Sequence, residues 1–218
     1  MRDKRQTVLF TLAMLVLFFA VGISAWYRAK KIGKISFLEH LDDTAVTVDG
    51  MDYQFRDLAV YLARQEYIVE EQAKVYDYEK THLYWNLHAN GIFIRVEARD
   101  LAMDMAVHDI IFYNMALEEG YELTKDEISY MENQIMDFWY DLEEGKERLG
   151  ISEKEAEETF LQMALAQKRQ YILAEEMGVD KEEYDVNGSM YQELLKEHTY
   201  QINETLWKRL NFGNITIH

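Results

Sequence analysis

Residues 97–119, EARDLAMDMAVHDIIFYNMALEE, are the stretch that decides the fold. Drawn as a helix of 3.6 residues per turn, they place apolar side chains on two faces. One face carries Ala102, Ala106, Ile110, Tyr113 and Leu117, and the other carries Leu101, Met105, Phe112 and Met115. A helix that is apolar on two faces packs between other elements. We therefore expect residues 97–119 to be the central helix of a mostly α-helical protein.

Two capping boxes predict where the next helices begin. In a capping box, the hydroxyl of Ser or Thr and the carboxylate of a Glu three residues later each bind a free backbone donor. Thr124 and Glu127 have this spacing directly after the central helix. Ser152 and Glu155 repeat it and predict a helix that ends near Gly178, which can adopt a left-handed conformation.

The two ends of this helical body carry segments that are typical of strands. Residues 44–48, TAVTV, are rich in β-branched side chains, and a turn at 49–50 leads into a helix that starts at Tyr53 and runs into the late seventies. A last helix is predicted over residues 191–210, followed by a strand at 214–217. Because a strand this short needs a partner, we expect 44–48 and 214–217 to pair as a two-stranded element that joins the chain ends.

Residues 7–27, TVLFTLAMLVLFFAVGISAWY, contain no charged side chain. As a helix they would span about 31 Å, which matches the hydrocarbon core of a bilayer. The alternative is a secretory signal peptide, with a cleavage site at 23–25. We favour an uncleaved transmembrane anchor because the apolar run is long and ends in Trp26 and Tyr27, which suit the membrane interface.

The anchor divides the chain into four predicted parts. A short tail covers residues 1–6, the anchor covers 7–27, a juxtamembrane linker covers 28–43 and a helical domain covers 44–218. Lys and Arg residues flank the anchor on both sides, so the distribution of positive charge leaves its orientation open.

The composition limits the classes of partner. Residues 1–34 carry a net charge of +6, so the −17 of the whole chain corresponds to −23 for residues 35–218. Such a surface repels nucleic acid and anionic lipid headgroups, and it favours cationic partners. The chain contains no Cys, which excludes disulfides, thiolate metal sites and a Cys nucleophile. It also contains no Pro, as expected of a protein that is almost entirely helical.

The sequence predicts no catalytic residue, metal site or cofactor. His82 and His88 are six residues apart, which does not fit the four-residue spacing of two metal-binding His on one helical face. His108 lies among the apolar positions of the central helix, where we expect a hydrogen-bonded core histidine. Pairs of adjacent Glu residues point in different directions from a helix, so they do not converge as general acid and base.

Met and aromatic residues are abundant in this chain, and they suit binding to varied apolar segments because Met adapts its shape and aromatic rings offer a large contact area. Most of them fit helical core positions. Two clusters, at 84–85 and 138–140, cannot place every ring in the core. The predicted client-binding residues are Tyr84, Trp85, Phe93, Phe138, Trp139 and Tyr140.

The order of these elements resembles the chaperone module of the SurA and PrsA foldases. In that family a strand reading V-x-V-[ND]-G leads into a long helix, as Val46–Gly50 does here. The family next shows an apolar central helix that ends in Gly, which residues 106–120 match. A capped helix follows in the family, and residues 124–127 match its start. A final helix and strand that return to the first strand are matched by residues 191–217. The resemblance covers most of residues 44–218.

The resemblance implies a membrane-anchored, extracytoplasmic chaperone that binds unfolded or secreted polypeptides, with its N-terminus in the cytoplasm. Family members with isomerase activity carry a parvulin domain before the last helix, whereas residues 180–188 are too few for one. Prolyl isomerase activity is therefore not expected. PrsA proteins are anchored by a lipidated Cys, whereas this chain would use its transmembrane helix.

An alternative function remains open at this point: an envelope adaptor or structural subunit that docks one specific protein partner. A homodimer also remains open, because terminal elements that pack on the other end of a chain can be exchanged between copies.

Overall fold

The computed structural model describes residues 33–89, 91–142 and 145–217, together with Met14 and Phe19. The chain divides into two compact units, Met1–Ile35 and Ser36–His218. In the first unit Met14 and Phe19 are helical, and the rest of the predicted tail and anchor lies outside the described residues. Across the residues that are described, no helix is both long enough and apolar enough to cross a membrane.

The second unit is mostly helical, with small antiparallel sheets. Its helices in chain order are α1 (Ala59–Tyr76), α2 (Thr81–Tyr84), α3 (Ile94–Glu118), α4 (Lys125–Leu142), α5 (Gly145–Leu149), α6 (Glu153–Met177), α7 (Ser189–Leu194) and α8 (Glu204–Trp207). Turns of 3₁₀ helix lie at Leu38–His40, Phe55–Leu58, Lys181–Tyr184 and Leu195–Glu197.

The strands form a three-stranded sheet and a separate hairpin. The sheet contains β1 (Thr44–Val48), β2 (Met51–Gln54) and β5 (Tyr200–Ile202), in the order β2-β1-β5 with both pairings antiparallel. The hairpin joins β3 (His88–Ala89) to β4 (Ile92–Phe93). A sheet this small depends on packing for its stability, and β1 supplies three buried side chains, Ala45, Val46 and Val48.

Helix α3 is the central helix, as the two apolar faces of its sequence predict. It packs against both α1 and α6. Small side chains at Ala102 and Ala106 are buried and allow the neighbouring helices to approach closely. Phe112 is also fully buried, and its ring centroid lies 6.2 Å from that of Tyr191 on α7. Burying one such apolar side chain contributes about 1.5–3 kcal/mol, so α3 anchors the core.

Both predicted capping boxes are present. At the start of α4, Thr124 N donates to Glu127 Oε2 at 2.6 Å and Glu127 N donates to Thr124 Oγ1 at 3.3 Å. At the start of α6, Ser152 N donates to Glu155 Oε2 at 2.7 Å and Glu155 N donates to Ser152 Oγ at 3.2 Å. Helix α6 ends at Gly178, whose φ of 66° is left-handed.

The predicted start of the first helix is wrong. Asp49 and Gly50 both have positive φ, 48° and 81°, which is the geometry of a tight hairpin turn. The chain therefore folds back as β2 and enters α1 only at Ala59. Within the predicted linker, Phe37 is buried and packs edge to face on Phe55, with 6.3 Å between ring centroids.

The predicted last helix over 191–210 and the predicted strand at 214–217 are also wrong. The carboxylate of Asp49 accepts a hydrogen bond from Thr199 N at 2.8 Å and lies 2.7 Å from His198 Nδ1. Burial acts to raise the pKa of Asp49, but these two contacts outweigh it and lower that pKa. Held at this point, the chain continues as β5 and occupies the edge of β1, so the predicted two-stranded element is a three-stranded sheet.

Candidate functional site

An open cleft of about 770 Å³ lies between α1 and α4. Ligand-binding pockets have volumes of about 300–1,000 Å³, so this cleft is large enough for a ligand. The α1 wall consists of Ala63, Arg64, Tyr67, Ile68, Glu70, Glu71 and Lys74. The α4 wall consists of Gln134, Asp137, Phe138, Tyr140, Asp141 and Leu142. The remaining lining residues are Gly145, Arg148, Phe160, Thr216 and Ile217.

The cleft is open because α4 packs on the body through a narrow stripe. Among the described residues of α4 only Phe138 is buried, and its ring packs on Phe160 of α6 with 5.4 Å between centroids. Met131 and Ile135 are half-buried along the same stripe. An amphipathic helix that packs along one narrow stripe leaves the neighbouring face of the helix uncovered. In α4 this uncovered face is turned towards α1 and forms one wall of the cleft.

Apolar and aromatic surface is exposed on both walls. Tyr67 and Ile68 on α1 are 41% and 44% exposed, and Tyr140 on α4 is 80% exposed. Tyr67 also interacts with the Asp141 carboxylate on the opposite wall. Partial burial and this neighbouring carboxylate both raise the pKa of Tyr67. Tyr67 and Asp141 therefore lie close to each other across the cleft.

The cationic side chains of the lining all have partners within the protein. Lys74 Nζ lies 2.7 Å from Glu71 Oε1. Arg148 Nη2 donates to Thr216 O at 2.7 Å. The guanidinium of Arg64 lies 5.9 Å from the centroid of the Phe160 ring.

The carboxylates of the α4 wall have no cationic partner among the described residues. Asp141 interacts with the neutral hydroxyl of Tyr67, and no hydrogen bond or ion pair links Asp137 to any described side chain. On the α1 wall Glu71 is paired with Lys74, whereas among the described residues no cation forms an ion pair with Asp137 or Asp141 on the α4 wall.

The C-terminal segment is fixed at one end of the cleft by Glu66 of α1. Glu66 is fully buried and accepts hydrogen bonds from Gly213 N at 2.5 Å, Ile215 N at 3.1 Å, Thr216 N at 2.7 Å and Thr216 Oγ1 at 2.7 Å. Burial raises the pKa of Glu66, and the four donors act against that shift. Because these amides bind a carboxylate, residues 214–217 are not available to a strand.

Glu66 was missed by the sequence reasoning, although the sequence carries a signal for it. Leu62, Val69 and Ala73 are buried on α1, and Glu66 falls on the same helical stripe. Glu70, one turn further on, is also buried and accepts a hydrogen bond from Trp85 Nε1 at 2.8 Å. Acidic residues inside an apolar stripe indicate buried hydrogen-bond donors elsewhere in the chain.

Of the six predicted client-binding residues, the structure brings Phe138 and Tyr140 to the cleft. Trp85 is buried in the core and is not part of any surface. Trp139 is half-buried, with Lys146 Nζ 5.4 Å from the centroid of its ring.

The other two predicted residues lie near the hairpin. Tyr84 donates to Gln72 Oε1 at 3.2 Å, and Phe93 is 43% exposed against His88. Tyr67, Ile68 and Asp137 line the cleft but are absent from the prediction.

A second cleft of about 590 Å³ borders His108 on α3. As predicted, His108 is a hydrogen-bonded core residue, with Nε2 2.8 Å from Tyr184 O and Nδ1 2.8 Å from Asp109 Oδ1. Tyr61 donates to Asp109 Oδ2 at 3.1 Å. These contacts tie residues 181–184 to α3. Within the described ranges, no group of three or more His, Cys, Asp or Glu side chains is placed to hold a metal ion.

Comparison with known proteins does not assign the chain to a family. No protein-family model matches it. No curated protein and no solved structure matches it either. The resemblance to the SurA and PrsA chaperone module therefore stays a prediction.

Proposed function

We propose that this protein is a membrane-anchored, extracytoplasmic chaperone-like protein that binds unfolded or partly folded polypeptide segments without catalysis. The observation that carries the proposal is the open cleft between α1 and α4, which exposes aromatic and aliphatic side chains beside charged groups. An unfolded segment offers apolar side chains and a polar backbone together, and a mixed lining suits both.

The size of the exposed apolar surface is consistent with weak, reversible binding. Full burial of an exposed apolar side chain contributes about 1.5–3 kcal/mol, so Tyr140, which is 80% exposed, can supply most of that amount and Tyr67 and Ile68, at 41% and 44%, less than half of it each. Ordering the client offsets part of this gain, so we expect dissociation constants on the order of micromolar to millimolar. A chaperone that must release its client needs affinities in this range.

Two features outside the cleft support the proposed location. Residues 7–27 form an uncharged apolar run of sufficient length for a transmembrane helix. The resemblance of residues 44–218 to secretion chaperones implies that this domain lies outside the cytoplasm.

The proposal is tested by suppression of aggregation. The full-length chain in mild detergent is mixed at equal molar ratio with a protein diluted from denaturant, and light scattering is followed. We expect clear suppression by the wild type, weaker suppression by the Tyr67→Ala/Tyr140→Ala variant, and full suppression by Tyr130→Ala. Tyr130 is the matched control because it is exposed on α4 but does not line the cleft. Absence of suppression by the wild type would overturn the proposal.

The alternative function, an adaptor for one folded partner, is favoured by a different observation. Exposed apolar side chains also lie outside the cleft, at Tyr76, Tyr78, Ile92 and Phe93. A pull-down from membrane extracts distinguishes the two functions. One dominant folded partner that is lost with Phe93→Ala and retained with Tyr140→Ala would favour the adaptor.

A further inference from the structure

We infer that the cleft between α1 and α4 selects polypeptide segments that carry Lys or Arg side chains. The inference rests on the proposed function and names the chemical class of its ligand. It follows from the arrangement of charges and rings on the α4 wall and on the facing turn of α1.

Among the described residues, the acidic side chains of the cleft that lack an ion pair or a hydrogen bond to a buried donor lie on one face of α4. Asp137 and Asp141 are four residues apart, so their side chains lie on the same helical face, and both line the cleft. Lys74 and Arg148 do not neutralise them, because Lys74 pairs with Glu71 and Arg148 binds Thr216 O. Arg64, the third cation of the lining, lies over the Phe160 ring, so among the described residues no cation forms an ion pair with either aspartate and both can pair with a cationic ligand.

Aromatic rings accompany these carboxylates. Tyr140 is next to Asp141 in sequence, and Tyr67 reaches Asp141 from the opposite wall. A carboxylate offers about four lone-pair positions, so the single hydroxyl of Tyr67 leaves acceptor sites free on Asp141. Lys and Arg combine a cationic group, which attracts both carboxylates and ring faces, with an aliphatic stem that covers apolar surface such as Ile68.

The charge of the whole chain acts in the same direction. A net charge of −17 attracts basic segments and slows the approach of acidic ones. This long-range effect is not specific to the cleft, so the experiment must separate it from the local effect of Asp137 and Asp141.

The expected local effect is moderate because both aspartates are accessible to water. Two exposed ion pairs and one cation–π contact together strengthen binding about tenfold at low salt. The preference falls as salt is added, since the screening length is about 8 Å at physiological ionic strength.

The experiment measures the binding of three synthetic peptides by fluorescence anisotropy, with the full-length chain in a neutral detergent. The peptides have equal length and equal apolar content, and their variable positions are all Lys, all Gln or all Glu. We expect the Lys peptide to bind about tenfold more tightly than the Gln peptide, and the Glu peptide to bind most weakly. The Asp137→Asn/Asp141→Asn variant should lose most of this preference and keep only the part that the overall charge causes.

Two further variants control the result. Glu132→Gln removes one exposed carboxylate of α4 that does not line the cleft, and it should keep the preference for Lys. Asp137→Asn alone leaves the Tyr67 contact with Asp141 intact, and it should lose part of the preference. This single variant keeps the test decisive if the double variant folds poorly.

The outcomes separate this inference from the proposed function. Equal binding of the Lys and Gln peptides by the wild type overturns the inference and leaves the proposed function standing. A Lys preference that is as large in a folded double variant as in the wild type also overturns it, because the overall charge would then be the cause. If no peptide binds, the proposed function itself fails.

Discussion

Replacement of Glu66 by Gln tests how the C-terminal segment is held against the helices. Glu66 Oε1 accepts two backbone amides, and Oε2 accepts both the amide and the hydroxyl of Thr216. A Gln side chain can keep the first pair with its carbonyl oxygen. The side-chain NH₂ of Gln then takes the place of Glu66 Oε2 opposite Thr216 N. Because both groups are donors, one buried N–H is left without an acceptor.

The cost of Glu66→Gln follows from this count. A buried N–H without an acceptor costs about 1–3 kcal/mol, and hydrogen bonds to a charged acceptor are about twice as strong as neutral ones. Removal of a fully buried charge offsets part of the loss. We therefore expect a net loss of about 2 kcal/mol, out of a typical total stability of about 5–15 kcal/mol.

Two measurements on the full-length chain in mild detergent check this expectation. Denaturant unfolding gives the change in the free energy of unfolding. Amide hydrogen exchange followed by mass spectrometry shows where stability is lost. If the loss is local, peptides that cover residues 212–217 should exchange about 30-fold faster in the variant, while peptides from α3 change less.

Glu71→Gln is the matched control, since Glu71 is an exposed glutamate on the same helix whose pair with Lys74 contributes about 0.5 kcal/mol or less. The reasoning is refuted if Glu66→Gln changes the free energy of unfolding no more than Glu71→Gln does and leaves the exchange of residues 212–217 unchanged.

Three further predictions concern the fold. Gly213→Ala should lower the free energy of unfolding by about 1–3 kcal/mol in denaturant, because φ at Gly213 is 88° and an added Cβ would lie 2.9 Å from Cε3 of Trp85. Gly120→Ala is the control: φ there is 74° and the added Cβ meets open space, so the loss should be about 1 kcal/mol. Glu155 has a pKa of about 2 because it accepts hydrogen bonds from Ser152 and Arg56, and the stability that this lowered pKa gives is fully present above its ordinary pKa of 4.5 and is lost as the pH falls from 4.5 through about 2. At neutral pH the wild type should be about 1 kcal/mol more stable than Glu155→Gln in thermal melts, and this difference should disappear over that pH window. His108→Phe should cost about 1–3 kcal/mol in urea unfolding, because Tyr184 O loses its contact with the imidazole and Asp109 keeps only the hydrogen bond from Tyr61. An unchanged midpoint would contradict the role given to His108.

The long helices could be predicted from the sequence because their determinants are local. The two apolar faces of residues 97–119 predict α3, and the hydrogen bonds of the capping boxes lie within four residues of Thr124 and Ser152. Such signals need no knowledge of the rest of the chain.

The last part of the chain could not be predicted because its structure depends on distant contacts. Residues 198 and 199 are held by Asp49, and residues 213–216 are held by Glu66, each about 150 positions earlier in the sequence. An apolar pattern over 191–210 fits a helix equally well until those partners are known. Tertiary contacts of this kind override the local preference.

The cleft was predictable only in part. The aromatic cluster at 138–140 predicted client-binding residues, and Phe138 and Tyr140 do line the cleft. The sequence alone gave no means of knowing that α4 packs by a narrow stripe and stands apart from the second half of α1. Ile68 illustrates this, because it is next to the buried Val69 on α1 and is 44% exposed at the cleft.

Contact between a client and the cleft is the most direct test of the central claim. The chain has no Cys, so a single Cys at Tyr140 or at Tyr130 can be labelled with bimane without removing any native thiol. Trp quenches bimane on contact, and a Lys-rich peptide that carries one Trp serves as the probe. We predict saturable quenching of the label on Tyr140→Cys and little quenching on Tyr130→Cys. Equal quenching at both positions, or none at residue 140, would contradict the account.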